Sequence, residues 1–303
     1  MQESLLDISL YTDNKIIAPM MLSKKIITMK KFILSLVLMA VTTSYSQELN
    51  LPVFTQYLAD NPFVIAPTYA GIGDYAKIRA NGFTQWVGIK DAPENQSLAA
   101  DMRIYNQSGV GLYLYNDSNG NTRQTGAKVS FAHHLILDKH MEQFLSFGIS
   151  YNYNQFRIET ENFTDQDIAV TDDRRLINHN FDVGALYRKN NFYLNFAVGN
   201  ILNKDIDMFT GIEPMALRNY QVYTGYVIKD ISNKDFEIEP SMYFQYFESD
   251  ARSTTDLNLK FRFHSIDNYY WAGIGYRFTN NQLFKPFTIS PMAGFKKANF
   301  YFG

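Results

Sequence analysis

The chain has 303 residues, a formal net charge of −2 and no cysteine, which excludes disulfides, zinc–thiolate sites, a cysteine nucleophile and a lipidated N-terminal cysteine. With so little net charge, no overall field selects nucleic acid as a partner. Charged residues make up only 19% of the chain, against roughly 25% in soluble domains, and the 21 Tyr and 24 Phe favour a protein with one face in lipid and the other in water.

The N-terminal region predicts a signal peptide over residues 29–46. Two lysines follow Met29 and an apolar stretch, 32–41, comes next, as in the charged and hydrophobic parts of a secretory signal. The stretch is shorter than the roughly 20 residues that a membrane-spanning helix needs. Since a signal peptide belongs at the start of a translated chain, we predict that translation starts at Met29 and that residues 1–28 are a mis-called upstream extension.

From residue 76 onward, apolar and polar residues alternate in short stretches, which is the pattern of β-strands with one apolar face. In the clearest stretch, 256–264, leucine and phenylalanine alternate with Asp256, Asn258, Lys260 and Arg262. Asn, Gly and Asp are frequent in the connectors, as in turns. We predict strands at about 76–88, 95–106, 108–116, 122–137, 145–154, 181–188, 192–200, 220–229, 236–247, 256–264, 269–278, 286–296 and 298–303.

Alternation alone fits both a soluble sandwich and a membrane barrel. Here the polar faces are rich in Gly, Ser, Asn and Tyr, and the apolar faces end in Tyr and Phe, which form girdles at membrane interfaces. Turning the 256–264 strand over would place Lys260 and Arg262 in lipid, at roughly 2–4 kcal/mol each near the midplane. We therefore predict an antiparallel transmembrane β-barrel with its charged faces in the lumen; the alternative is a soluble secreted all-β domain.

The polar residues offer few candidates for a chemical site. His133 and His134 are adjacent on a predicted strand, so they point to opposite faces and cannot share a metal. Ser130 could join His134 in a membrane-embedded lipase, but no third triad member is identifiable. Residues 116–121 lack the spacing of a calcium loop and predict a hairpin turn, and 172–175 predict a charge-compensated loop. We predict no enzyme activity, no cofactor and no metal.

Short blocks of specific residues follow the signal peptide in a set order. They are Gln56 with Tyr57, Asn61 with Pro62, Tyr69 with Gly71, then Arg79, Gln85 with Trp86, Asp101, the Gly109 and Gly111 pair, and residues 145–148. In this order they resemble the PorP/SprF family of the type IX secretion system, over essentially all of 47–303. Two positions depart from the family pattern: Ala66 stands where Asn is usual, and Thr68 where Ala is usual.

The resemblance implies a barrel of about 14 strands, over residues 76–303, that works beside the secretion and gliding apparatus in the cell outer membrane. Its partners would be outer-membrane lipid and either a large secreted adhesin-like cargo or periplasmic ring proteins. Family members continue to a closing strand, whereas this chain stops inside a predicted one, so we expect the final strand to be missing.

Residues 47–75 are too proline-rich and irregular to form a lipid-facing strand. We predict that this segment packs in the lumen or at the periplasmic mouth, with Gln56, Tyr57, Asn61 and Tyr69 hydrogen-bonded to the wall. Whether these residues, with Pro62 and Gly71, only order a plug or contact a partner directly is left open.

The sequence thus predicts a non-catalytic outer-membrane barrel that supports export or surface anchoring of a secreted partner, or links to the periplasmic ring. The alternative function is an outer-membrane solute channel or transporter.

Overall fold

The computed structural model describes residues 61–158, 174–202, 218–229, 235–248, 251–265, 268–282 and 285–303. The predicted signal peptide, the upstream extension and residues 47–60 lie outside the described residues. The described chain is all-β and antiparallel, with 73% of residues in strands. Three short 3₁₀ helices accompany the strands, at Pro62–Val64, Pro67–Tyr69 and Asn280–Gln282. No helix in the described ranges is long and apolar enough to cross a membrane.

Fourteen strands form one sheet in which neighbours in sequence are neighbours in space. β8 and β9 both pair with β10 and are separated only by Val227, so together they form one interrupted strand. The strands are β1 (Lys77–Thr84), β2 (Glu94–Tyr105), β3 (Ser108–Asn119), β4 (Thr122–Asp138), β5 (Gln143–Ile158), β6 (Arg174–Lys189), β7 (Phe192–Gly199), β8 (Asn219–Tyr226), β9 (Ile228–Lys229), β10 (Phe236–Phe247), β11 (Ser253–His264), β12 (Asn268–Thr279), β13 (Thr288–Lys297) and β14 (Phe300–Phe302).

The sheet is barrel-like but not closed. Within the described residues, β1 pairs only with β2 and β14 only with β13. Gly303, which follows β14, lines one cleft together with Asn81 and Phe83 of β1, so the two edges of the sheet face each other. The predicted all-β antiparallel barrel of about 14 strands is confirmed.

Burial is inverted relative to a soluble protein. On β5 the large apolar side chains of Phe147 and Ile149 are 49% and 47% exposed, whereas Ser146 and Ser150 on either side of them are buried. Leu257 and Phe263 on β11 are likewise exposed, at 45% and 54%. Because successive side chains of a strand point to opposite faces, the outer surface is apolar and the inner surface is polar.

The connectors divide the sheet into two different ends. At one end they are mostly short: 106–107, 139–142, 190–191, 230–235, 265–267 and 298–299. We call this the short-turn end. At the opposite end they are mostly longer: 85–93, 120–121, 159–173, 200–218, 248–252 and 280–287. The chain enters β1 from the short-turn end, since Lys77 pairs with Asp101 near the 106–107 turn.

The predicted end of β3 is wrong, whereas the predicted start of β4 is right. The hairpin turn predicted at 116–121 is confined to Gly120 and Asn121, because β3 continues to Asn119 and β4 starts at Thr122. Gly120 has a φ of 57°, a conformation that glycine adopts without strain. The pairing of β3 with β4 thus continues through polar residues whose composition predicted a turn.

Candidate functional site

Residues 61–75, called here the lumenal segment, pack against the inner face of the sheet. Two prolines start its two 3₁₀ helices, Pro62–Val64 and Pro67–Tyr69, because the proline ring fixes φ near the helical value and no donor is needed at the first position. Phe63, Thr68 and Ala70 are at most 1% exposed. The most deeply buried residues of the described chain therefore include several that belong to no strand.

Apolar contacts hold the lumenal segment to many strands at once. One buried cluster joins Phe63, Val64 and Ala70 to side chains of β2, β3 and β4, namely Ala99, Tyr113 and Ala132. A second cluster joins Ile65 and Ala66 to side chains of β7, β8 and β10, namely Ala197, Tyr223 and Tyr243. These two clusters are therefore apolar regions in an interior whose wall is otherwise polar.

Glycines on the inner wall leave room for the segment. A Cβ at Gly109 would lie 2.3 Å from the Ala70 carbonyl oxygen, and one at Gly148 would lie 2.5 Å from the Thr68 nitrogen. A Cβ at Gly111 would lie 2.3 Å from the Phe63 ring. These distances are too short for any side chain, so the glycine blocks of β3 and β5 form the seat of the segment.

Polar contacts fix the register of the segment in this seat. Thr68 Oγ1 donates to Asn195 Oδ1 at 2.7 Å, and the Gly71 amide donates to Asp101 Oδ2 at 2.9 Å. His134 lies between Ser146 and the segment: its Nδ1 is 2.8 Å from Ser146 Oγ and its Nε2 is 2.9 Å from the Ala70 carbonyl oxygen. Buried groups of this kind need partners, and the segment and the wall supply them to each other.

Some predicted contacts of the lumenal segment are absent. Gln56 and Tyr57 lie outside the described residues. Asn61 and Tyr69 are in the segment, but their side-chain polar atoms have no hydrogen-bond partner among the described residues. Burial, with the Tyr223 hydroxyl nearby, raises the pKa of Tyr69 well above its ordinary value, so the ring remains neutral and packs with the apolar cluster around Ile65.

The four predicted barrel-motif residues separate into two places. Arg79 Nη1 donates to Asp101 Oδ1 at 2.6 Å, directly behind the Gly71 amide. Gln85 and Trp86 follow the end of β1 at Thr84 and lie in the 85–93 connector at the opposite end. Trp86 has a φ of 48° and is exposed. The prediction that β1 extends to residue 88 is therefore wrong.

The predicted lumen-facing residues of β11 lie on its inner face. Asp256 accepts two hydrogen bonds from Arg277 of β12, at 2.5 and 2.6 Å. Lys260 is 1% exposed and its Nζ lies 4.0 Å from the centre of the Trp271 ring. Asn258, between them, is also buried. Arg262 is paired with Glu239 of β10.

A cluster of Tyr193, Tyr223 and Glu239 lies next to Arg262, and no pattern in the sequence predicted it. Tyr193 Oη lies 2.8 Å from Glu239 Oε1 and 3.0 Å from Tyr223 Oη. Alternation predicts that each residue faces inward, but a single sequence does not give the register that brings side chains of the neighbouring strands β7, β8 and β10 together. Thr68, His134 and Asn195 were missed as fastening residues for the same reason.

The two histidines separate as predicted, with His134 inside and His133 beside Ser108. Both ring nitrogens of His134 lie within hydrogen-bond distance of Ser146 and Ala70, and the Ser130 hydroxyl has no partner among the described residues. His134 therefore fastens the lumenal segment and is not paired with Ser130. No group of three or more potential metal ligands occurs in the part of the chain that the structure describes.

We expect Thr68→Val to lower the free energy of unfolding by about 1–3 kcal/mol, because the shape is kept while the buried Asn195 side chain loses its partner. Thr68→Ser, which keeps the hydroxyl, is the matched control and should lie nearer the wild type. Thermal unfolding of the detergent-purified protein, followed by gel mobility without boiling, measures both. Equal stability of Thr68→Val and the wild type would contradict the fastening role of this bond.

Comparison with known proteins gives a match to one protein family. A family model described as type IX secretion system membrane protein PorP/SprF matches residues 46–303. A search of curated proteins gave no match. The matched range contains the described lumenal segment, its glycine seat and all fourteen strands.

Proposed function

Because the chain belongs to the PorP/SprF family of type IX secretion system membrane proteins, we propose that it is a non-catalytic outer-membrane barrel that supports export or surface anchoring of a large secreted partner, or links to the periplasmic ring. The observation that carries the proposal is the close packing of the lumenal segment against the inner wall of the barrel. Residues 61–75 occupy the interior where an open pore would need space, which leaves the two mouths as surfaces for protein partners.

The two kinds of connector support an orientation in the membrane. In outer-membrane barrels, short turns face the periplasm and longer loops face outside. The short-turn end, where the chain enters β1, is then periplasmic, and the connectors 85–93, 159–173 and 200–218 are extracellular. A periplasmic ring protein would meet the short turns, and an exported partner attached at the surface would meet the longer loops.

Purification from cross-linked membranes tests the partner role directly. An affinity-tagged protein should retain a large secreted protein or a periplasmic ring component in a fixed ratio after detergent extraction. Deleting the gene should leave the same partner inside the cell or release it into the medium. A barrel that purifies alone after cross-linking, with partner export unchanged by the deletion, would contradict the proposal.

The channel alternative is favoured by the polar inner face, since Asp256, Lys260 and Arg277 are lumenal groups that a hydrated pore would use. Conductance in planar bilayers separates the two functions. We expect the wild type to pass little current, and Gly148→Leu to raise the conductance severalfold, because its side chain overlaps the backbone of residues 67–68 and displaces the lumenal segment.

Gly82→Leu is the matched control for this measurement. Gly82 is exposed on β1, and a Cβ there would meet nothing within 4 Å, so the substitution adds the same side chain without touching the segment. Its conductance should equal that of the wild type. A large, steady current through the unaltered protein would favour a solute channel instead.

A further inference from the structure

A cavity of ≈ 330 Å³ lies at the short-turn end of the lumen, and we call it the Arg188 pocket. It lies beside the 139–142 and 190–191 turns and is open to solvent. Its charged lining residues are Glu142, Arg188, Lys229, Glu237 and Arg262. The size is in the range of small-molecule and side-chain binding sites.

Arg188 differs from the other cations in and near this pocket. Arg262 has ion pairs with Glu239 and, at 3.5 Å, with Glu237. Lys229 is 3.9 Å from Glu237. Farther round the wall, Arg103 pairs with Asp74 at 2.7 Å. Each of these side chains therefore lies within ion-pair distance of a carboxylate, although Lys229 and Arg262 share Glu237.

No ion pair or hydrogen bond joins Arg188 to any residue that the structure describes, and its Nε is buried without a partner. The guanidinium carbon lies 4.9 Å from the centre of the Phe144 ring, so one face of the group is covered. Its parity places it on the inner face of β6, in line with Leu186 and Gly184. An arginine held in this way presents its fork toward the open pocket.

Leaving a charged group partly buried without a counter-ion costs free energy, and a bound anion would recover it. The planar guanidinium fork matches a carboxylate, which it binds through two parallel hydrogen bonds. Glu142 and Glu237 also line the pocket, and they oppose anions of higher charge such as phosphate. A singly charged group meets the least repulsion from these two carboxylates and still satisfies the Arg188 guanidinium.

We propose that the Arg188 pocket binds a carboxylate of a partner polypeptide, either an acidic side chain or a C-terminus, that reaches the lumen from the short-turn end. Phe144 and Phe192 in the lining provide apolar contact for the residue that carries the carboxylate. The identity of the ligand as a polypeptide rests on the proposed function, whereas the carboxylate chemistry rests on the pocket alone.

Binding of a small probe to the purified full chain tests the chemistry. The probe is N-acetyl-4-fluorophenylalanine, which has one carboxylate and one ring, and its fluorine line width is measured at rising protein concentration in detergent. The corresponding amide, which lacks the charge, serves as the probe control. The acid should broaden with the wild type, and the amide should not.

Substitution of Arg188 should remove the effect. Arg188→Gln should bind the acid about ten- to hundredfold more weakly, the value of a hydrogen bond to a charged group. Lys189→Gln is the matched control, since it removes the neighbouring charge from an exposed side chain and should bind as the wild type does. Arg188→Lys keeps the charge without the fork and should be intermediate; it carries the test if Arg188→Gln does not fold.

Two results would overturn the proposal. The first is equal broadening by the wild type and by the folded Arg188 variants. The second is displacement of the probe by inorganic phosphate at least as effectively as by acetate, which would indicate a phosphate or lipid-headgroup site instead. Since no partner protein is present, this outcome is independent of the co-purification experiment that tests the proposed function.

Discussion

Asp101→Ala should lower the free energy of unfolding by about 3–5 kcal/mol, the range for removing one partner of a buried ion pair. The Asp101 side chain is fully buried, and its two oxygens accept from Arg79 and from the Gly71 amide. The substitution leaves both the Arg79 guanidinium and the Gly71 amide without their acceptor. Since the Arg79 side chain is 21% exposed and stays partly hydrated, we expect the lower half of the range.

Asp91→Asn is the control for Asp101, since Asp91 has a φ of 58° and asparagine tolerates this left-handed conformation better than alanine does. Asp91 forms a 3.9 Å pair with Lys90, and both side chains are more than half exposed, so its loss should change stability by no more than about 1 kcal/mol. Urea unfolding of the protein in lipid vesicles measures both variants. The double variant with Arg79→Ala should recover part of the loss, and a fully additive result would show that the two side chains are not coupled.

Ile149→Arg should make folding into a bilayer less favourable by about 2–4 kcal/mol. Ile149 is on the outer face near the middle of the apolar part of β5 and is 47% exposed, so its replacement would place a charge near the membrane midplane. Ile177→Arg on β6 is the matched control. Its position pairs with Gln155, beyond the apolar stretch, where the cost falls to about 0–1 kcal/mol.

The measurement is the folded fraction as denaturant is diluted into vesicles of one composition. Ile149→Arg should fold at lower denaturant than Ile177→Arg, and both should insert in the same orientation. If the two variants were equally affected, the apolar band would not coincide with the hydrocarbon, and the membrane placement of β5 would need revision.

The strands could be predicted because the two faces of the sheet meet different surroundings. Wherever lipid covers one face, the sequence alternates, and β7 and β11 were located within a few residues. The alternation ends where the strand leaves the apolar band, so the ladder beyond Asn154 of β5 was missed, although its pairing with β6 continues to Ile158. Pairing between two backbones does not require an apolar side chain, and composition therefore underestimates such extensions.

The contents of the lumen were less predictable than its wall. The proline-rich character of residues 47–75 predicted an irregular segment, but not which of its side chains make hydrogen bonds. Thr68, a departure from the family pattern, bonds to Asn195, whereas Asn61 and Tyr69 have no such partner among the described residues. Lateral neighbours in a barrel depend on register and curvature, which one sequence does not contain.

The fastening of the lumenal segment has a consequence for the order of assembly. Thr68 and Asn195 are 127 positions apart, and the apolar cluster around Ile65 includes Tyr243 of β10. Residues synthesised among the first can therefore reach their final contacts only after most of the wall exists. Contacts of such long sequence separation slow folding, so we expect the β-hairpins to pair first and the interior to become fixed in a late, slower phase.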